Sequence, residues 1–407
     1  MTPWLTIIGV GESELPSLPH AQTIIGPERL ISRLSMHPSP LRGGAGGEGS
    51  NPPALEPWRS PKLDAMLDQL LSHRRTPTIL LASGDPMWFG IGATLAKRLD
   101  ADEFRITTAL SSFQLAAATL RWPLQHVTTL SLHGRPAELI HPHIAPGNRI
   151  LALTTDAATA PHIARLLADR GYGRSVLTIL ENLGGPGERI ASAEALGFAL
   201  EIGDFYVLAI DCVADPGAAL LPAVPGLPDD AFLNDGQLTK REVRAATLAR
   251  LAPYPGALLW DVGAGCGSIG IEWMRAARDA EAIAFEREGE RLQMIAVNAD
   301  RLGVPTIRIE NGSAPDSLIG KPTPDAIFLG GDVANETLFH ACWTALRSRG
   351  RLVANAVTLD AEQALLARHA RLGGELVRID IAALDTIGSH QAFRPRMPVT
   401  QWSVTKP

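Results

Sequence analysis

Three cysteines in 407 residues, Cys212, Cys266 and Cys342, are widely spaced and odd in number. That excludes a disulfide framework and a four-cysteine zinc site, and leaves buried thiols as the expected state. Aromatic residues make up only 5% of the chain, so its cores have to be built mainly from aliphatic side chains and alanine. No apolar stretch approaches the roughly 20 residues that a membrane-spanning helix needs. The N-terminus shows no basic segment followed by an apolar core and a small-residue cleavage site, so a cytoplasmic location is expected. Lysine and arginine form no run, and 37 basic against 43 acidic residues give a formal charge of −6. A nucleic-acid binder needs a basic face to neutralise phosphates, which argues against that class. An acidic small molecule stays open as a ligand, because a few converging arginines set the local potential of one cleft.

What is present is a globular composition, 45% hydrophobic and 20% charged, on a chain long enough for two or three domains. Two strand and helix series are separated by residues 215–228, where Pro216, Pro222, Pro225 and Pro228 with Gly217 and Gly226 cannot sustain regular structure. Upstream, Trp4–Val10, Thr78–Ala82, Arg105–Thr108, His126–Leu130, Arg149–Leu153, Val176–Leu180 and Tyr206–Ile210 read as short apolar strands. Helical patterns between several of them imply parallel sheets. Residues 38–57, rich in glycine and proline, have almost no side chain that could bury area, and a disordered insertion is expected. His141-Pro142-His143 has no second ligand cluster nearby and reads as a surface loop rather than a metal site.

The strongest chemical signal is Leu258 to Gly270, an apolar strand breaking into a glycine-rich turn with Asp261 at its threshold. Gly263, Gly265 and Gly267 let the backbone pass close under a ligand, and the helix that follows, Ser268–Arg278, offers free amides. A phosphate cradle avoids a carboxylate at its mouth, whereas S-adenosylmethionine, with an ammonium and a sulfonium, is favoured by one. A dinucleotide is the competing ligand, since Gly265 to Gly270 also satisfies Gly-x-Gly-x-x-Gly with Glu286 downstream. After a second strand, Ala282–Phe285, Glu286 can accept the ribose hydroxyls of an adenosine. A third strand, Thr306–Ile309, leads to the small-residue loop 311–315, which leaves room for an adenine ring, and 324–331 adds a strand with a glycine floor at Gly330 and Gly331. Helix 334–346, strand 351–354, helix 361–372 and a terminal stretch through 401–404 complete a doubly wound sheet with an antiparallel close.

In the first half, Leu80 to Gly92 reads as a strand, a polar turn and a helix start, with Asp85 as N-cap and Pro86 at the first helical position. Two further turns, 110–113 and 131–135, fall at spacings that put them along the same sheet edge, where ligands of open parallel sheets bind.

Leu81 to Pro86, Ala109 to Phe113, Ser131 to Arg135 and Glu181 to Gly184 together resemble the tetrapyrrole methylase family. Asn234 to Arg244, followed by Asp261 to Gly267, resembles the decarboxylating precorrin methyltransferase domain. The resemblance spans nearly the whole chain apart from the glycine-rich insertion. It implies an α/β fold: an N-terminal tetrapyrrole-methylase-like pair of α/β subdomains over 1–215, a linker at 216–228, and a C-terminal Rossmann-like class I methyltransferase domain over 229–407. It implies two S-adenosylmethionine sites, with cofactor contacts at Gly84, Asp85 and Ser112 in the first half. In the second half the implied contacts are Thr239, Gly263, Ala264, Gly265, Cys266, Gly267, Glu286 and Ala314, to which the charge argument above adds Asp261. It further implies methylation of two bridge carbons of a tetrapyrrole, loss of a ring acetate carboxyl, a place in cobalamin formation, and self-association. Region 21–33 is shorter than the family pattern, so an incomplete first helix and second strand are expected. RNA methylation and a non-catalytic cofactor-binding scaffold are the competing functions. Methyl transfer to an electron-rich carbon rests mainly on positioning, so no catalytic triad is expected. The substrate's carboxylates want cations, for which Arg135, Lys240, Arg241 and Arg244 are the candidates.

Overall fold

The computed structural model describes residues 3–11, 15–36, 52–59 and 62–407, which form two units. One comprises 1–135 and 146–217 and the other 136–145 and 218–407. Among the described residues no helix is long and apolar enough to cross a membrane.

The first unit opens with β1 (Leu5–Val10), β2 (Thr23–Gly26), α1 (Glu28–Met36), β3 (Ala54–Pro57), α2 (Leu63–Leu71), β4 (Thr78–Ser83), α3 (Ile91–Leu95) and β5 (Phe104–Thr107). Its strands make one parallel sheet in the order β3-β2-β4-β1-β5. Leu5, Ile7, Leu80 and Ala82 bury into one face while Ile8, Val10, Ile79 and Leu81 bury into the other. Burial on both faces is why these strands read as unbroken apolar runs. Both β2 and α1 are formed, with Leu30 and Leu34 fully buried, so the shortened region still completes its strand and helix. Most of the expected insertion, residues 37–51, lies outside the described residues. Its end is a strand: Ala54–Pro57 pairs in register with β2.

The unit continues with α4 (Ser112–Leu120), β6 (Val127–Ser131), β7 (Arg149–Leu153), α5 (Thr159–Asp169), β8 (Val176–Glu181), β9 (Arg189–Glu194) and β10 (Tyr206–Asp211). This second sheet, β6-β7-β10-β8-β9, is mixed and not parallel. Only β6 and β7 run together, and β10 is antiparallel to both neighbours. The hairpin of β8 and β9 was not legible because β9 is exposed at the edge, with polar residues at most positions.

The second unit comprises α6 (Arg241–Leu251), β11 (Leu258–Val262), α7 (Ser268–Ala276), β12 (Glu281–Glu286), α8 (Gly289–Leu302), β13 (Arg308–Asn311), β14 (Ala326–Leu329), α9 (Glu336–Ala345), β15 (Arg351–Ala356), α10 (Leu359–Leu372), β16 (Glu375–Ile379), a hairpin of β17 (Ala382–Ile387) and β18 (His390–Pro395), and β19 (Val399–Thr405). The seven-stranded sheet, β13-β12-β11-β14-β15-β19-β16, is parallel except at β19. Side chains alternate across it. Leu259 joins Ile269, Trp273 and Ile295 in one core, while Leu258, Trp260 and Val262 join Phe285, Phe339 and Trp402 in the other. His141-Pro142-His143 is not a surface loop. It closes a 3₁₀ helix, Ala137–His143, with His141 buried, and a β-carbon on Gly303 at the end of α8 would come within 2.8 Å of the His141 Cβ.

The proline-rich crossover is irregular and firmly held. Glu272 on α7 is buried and accepts from the Gly226 and Leu227 amides, and it also pairs with Arg244. Arg275 donates to the Leu221 carbonyl at 2.7 Å. Arg244 is fully buried and reaches Asp229 together with the carbonyls of Leu227 and Thr239. Breaking a buried pair strands a charge, typically at ~3–5 kcal/mol, whereas replacing both partners by apolar groups costs far less. Glu272→Ala is therefore expected to lower the urea midpoint severely, and the double variant Glu272→Met with Arg244→Met to recover much of that loss. Equal midpoints for the native chain and Glu272→Ala would refute the account.

Candidate functional site

The turn after β11 is built from left-handed backbone. Gly263, Gly265 and Gly267 have φ of +74°, +60° and +82°. A β-carbon on Gly263 would lie 2.9 Å from the Gly331 nitrogen, and one on Gly267 would lie 3.0 Å from Ile295 Cγ2. The amides of Gly263 and Ala264 both donate to the Phe285 carbonyl, and Gly330 donates to Val262. These bonds draw the ends of β11, β12 and β14 together under one surface. Over Gly265 the nearest neighbour is the Gln237 carbonyl, 3.5 Å from where a β-carbon would stand. The loop 234–239 therefore passes close against the turn.

Asp261 sits beneath this turn rather than at a solvent-facing mouth, on the α7 side of β11 and fully buried. Its Oδ2 accepts from the Gly270 amide at 2.9 Å, while Oδ1 has no hydrogen-bond partner. Burial pushes its pKa up to about 7, with Glu286 adding to the rise. A buried acceptor without a donor is costly and rare, and this one lies directly beneath the glycine turn. That combination suits a ligand bearing a cationic donor.

Glu286 is buried at the end of β12. Its Oε2 accepts from the Gly265 amide at 2.8 Å, and Oε1 accepts from the amides of Arg287 and Glu288 at 2.8 and 3.1 Å. A carboxylate has about four lone-pair sites, so with these amides in place one acceptor position is left for a ribose hydroxyl instead of two. The Gly312 amide donates to the Glu286 carbonyl, which brings the loop carrying Ala314 to the same strand end. Ala314 is half-buried against the core. Cys266 is buried inside the turn, its thiol pushed up to about 11 by burial; Cys212 and Cys342 are buried as well. A cavity of about 480 Å³ adjoins the site, lined by Asp235 and Gln237 on the loop and by Arg287 to Arg291 at the start of α8.

Thr239 is half-buried and its carbonyl receives Arg244. Arg244 itself is no substrate cation, since every hydrogen bond it makes goes to protein groups in the interior. Lys240 and Arg241, at the start of α6, are half-buried and exposed respectively. Asn298 was not singled out from the sequence, yet it holds the loop from below. Fully buried on α8, it accepts from the Leu233 amide at 2.7 Å and donates to the carbonyls of Leu233 and Cys266. The available signal was an asparagine inside the apolar stripe Ile295, Ala299, Leu302.

In the first unit, Gly84 has φ of +65°, and a β-carbon there would stand 3.5 Å from the Leu110 carbonyl oxygen and from Ser111 Cα. Gly84 and Ser112 are thereby neighbours at the ends of β4 and the segment after β5. Gly9, overlooked in the sequence, is as constrained: a β-carbon would lie 2.8 Å from the Ala109 nitrogen and overlap the Gly84 carbonyl. Asp85 does not start a helix. Its Oδ1 accepts from the Met87 amide at 2.8 Å within a turn, and α3 begins only after Gly90. Ser111, rather than Ser112, caps α4, in a reciprocal box with Gln114. The turn at 131–135 ends β6 in the mixed sheet, with His133 and Gly134 bonded to Thr154 and Thr155, so it does not share the edge of the parallel sheet. Arg135 is exposed.

Residues 230–406 match the family model described as precorrin methyltransferase domain, and residues 53–196 match that of the tetrapyrrole (corrin/porphyrin) methylases. Among curated proteins, the precorrin-6Y C(5,15)-methyltransferase [decarboxylating] of a Sinorhizobium species is 47% identical over 408 residues, covering 100% of this chain and 97% of that protein. The cobalt-precorrin-6B C(15)-methyltransferase (decarboxylating) of Salmonella typhimurium is 31% identical over 179 residues, 42% of this chain and 92% of that one. Among solved structures, the C-terminal domain of precorrin-6Y C5,15-methyltransferase from Rhodobacter capsulatus is 43% identical, covering 46% of this chain and 100% of that one, with a TM-score of 0.44.

The buried Asp261 has a measurable signature. An unfolded aspartate titrates near pH ~3.9, so a folded value of about 7 means that the native chain holds a proton the unfolded chain has lost. Its contribution to stability is present below about pH 4 and is lost as pH rises through 7. Asp261→Asn keeps an acceptor for the Gly270 amide and cannot ionise. In thermal scans of the ligand-free chain, the variant is expected to gain on the native chain steadily between pH 4 and 8. A gap that is constant over that range would show that Asp261 does not titrate there.

Proposed function

The chain belongs to the family of precorrin-6Y C5,15-methyltransferases (decarboxylating), and on that premise we propose that it methylates precorrin-6Y at C5 and C15 and removes the ring C acetate carboxyl, yielding precorrin-8X in cobalamin formation. The observation that carries this reading is the full-length relative at 47% identity, matched across both domains in order. S-adenosylmethionine supplies an electrophilic methyl on a sulfonium when bound, and two sites are proposed, one in each unit.

In the second unit the residues present fit that donor. Asp261 Oδ1 is a buried acceptor that wants a cationic partner, the turn at Gly263, Gly265 and Gly267 leaves main chain bare beneath a ligand, and Glu286 keeps one acceptor position for a ribose hydroxyl. Thr239 and Ala314 flank this surface. In the first unit Gly84, Asp85 and Ser112 are the corresponding group. The protein's work is to orient a bridge carbon in line with the methyl and to exclude water, since a reduced tetrapyrrole brings its own nucleophile. C15 methylation and decarboxylation are assigned to the second unit. Support comes from the Salmonella relative, named for those two steps alone, whose 179 aligned residues are about the length of the 230–406 match. Loss of carbon dioxide leaves an electron pair that the conjugated macrocycle can hold. For the substrate's carboxylates, Arg135, Lys240 and Arg241 are the cations still available once Arg244 is accounted for. A cytoplasmic location and self-association complete the proposal.

Mass spectrometry after incubating the full chain with precorrin-6Y and S-adenosylmethionine decides the matter. Two added methyls and one lost carbon dioxide are expected. An unchanged substrate mass would favour a cofactor-binding scaffold. Separately, Glu286→Gln is expected to weaken S-adenosylhomocysteine binding at one of two calorimetric sites by roughly tenfold, the loss associated with ~1.4 kcal/mol for a hydrogen bond to a charged group. Binding at a single site in the native chain would reduce the two-site proposal to one.

A further inference from the structure

The loop that walls the glycine turn is clamped at both ends and fastened in the middle by one ion pair. At its start, Asn298 grips both backbone groups of Leu233, and at its end Arg244 grips the Thr239 carbonyl. Leu238 adds to the clamp at that end, buried in the core with Leu248 and Ile269. Between the clamps Asn234 Oδ1 accepts from the Gly236 amide and Asp235 Oδ1 from the Gln237 amide, bonds internal to the loop. The polar tie from this middle part to the body is Arg291 on α8, whose Nε and Nη2 lie 2.8 and 2.7 Å from Asp235 Oδ2. The pair is at the surface, with Asp235 an exposed residue, and it borders the cavity lined by Gln237 and by Arg287 to Glu290.

The Gln237 carbonyl abuts Gly265 with room for no more than a β-carbon between them, so the loop walls the turn on one side, and the cavity beside it is lined by Asp235, Gln237 and Arg291. We infer that the Asp235–Arg291 ion pair is a latch that holds the loop 234–239 in place as the wall beside the adenosine end of the bound donor, so that Arg291 is a positioning residue setting the residence time of donor and spent product. The inference rests on the second-unit cofactor site proposed above. Asp235 serves both ends of the device, since one oxygen shapes the loop through Gln237 and the other anchors it to α8. The surrounding charges are Glu286, Glu288 and Glu290 with Arg287. Arg291 is therefore drawn toward several acids, and Asp235 is distinguished because two guanidinium nitrogens converge on its Oδ2.

The test follows release of radiolabelled S-adenosylhomocysteine from the full chain after a chase of unlabelled compound, reading the phase that responds to Glu286→Gln. Arg291→Met is expected to speed release about twofold to fivefold, the range for an exposed ion pair. Arg291→Lys should retain most of the native residence time. Asp235→Asn, which keeps the acceptor for Gln237, should match Arg291→Met, and the double variant should be no faster than either single. Raising salt to about 0.5 M should speed release from the native chain and leave Arg291→Met unmoved. Melting temperatures of the ligand-free variants should stay close to the native value, which a merely structural pair would not allow. Release rates indifferent to Arg291, with binding intact, overturn the latch alone. A native chain that binds no S-adenosylhomocysteine at all overturns the cofactor reading and the latch together.

Discussion

Both candidate sites depend on the same steric constraint: where parallel strands end side by side, main-chain atoms approach one another more closely than any side chain permits. In one unit Gly263 meets Gly331 across the ends of β11 and β14, and in the other Gly9 meets Gly84 and Ala109 across β1, β4 and the segment after β5. A glycine is needed at each because the obstacle is backbone, which cannot rotate aside as a flexible side chain can. The result is close backbone packing at the carboxyl ends of two parallel sheets, the place where open α/β folds receive ligands. The two sites are otherwise unlike. One is backed by a buried carboxylate with a free oxygen, and the other is bounded by a turn that Asp85 folds onto Met87.

Around the second site, buried polar side chains take over the work that regular structure cannot do. The crossover 218–228 and the loop 234–239 have few backbone partners of their own, so Glu272, Arg244, Arg275 and Asn298 reach out from α6, α7 and α8 to hold their amides and carbonyls. Such groups are expensive to bury and become favourable only when every donor and acceptor is met. They also specify position, because a carbonyl bonded to a guanidinium has much less freedom than one packed against leucine.

The strands buried on both faces were legible, since unbroken apolar runs bounded by glycine or proline carry a strong signal, and so were three helices of the second unit, α7, α9 and α10, whereas α6 and α8 were not read from the sequence. The glycine turn and the strand end carrying Glu286 beside it were legible for the same reason: the residue types are restrictive. Exposed or edge elements were not. The strand at Arg189–Glu194 and the hairpin 382–395 alternate too weakly to stand out. Asp85-Pro86 carries an ordinary helix-start signal that the tertiary structure overrides, and the true start is displaced to Gly90. Arg244 misled because charge on a helix N-terminus ordinarily points to solvent, and only the three-dimensional arrangement reveals a buried carboxylate waiting for it. Asn298, Gly9 and the Asp235–Arg291 pair act across long sequence separations, so no local pattern announces them.

The thiol of Cys266 occupies the very bend on which an alkylating compound is proposed to rest. Thiolates, not thiols, attack electrophilic carbon, and with its pKa held up to about 11 only about one molecule in ten thousand would carry the reactive form at neutral pH. Burial would thus give the polypeptide a chemical immunity: a methyl source held at the proposed site would meet a sulfur that is almost entirely in its unreactive form.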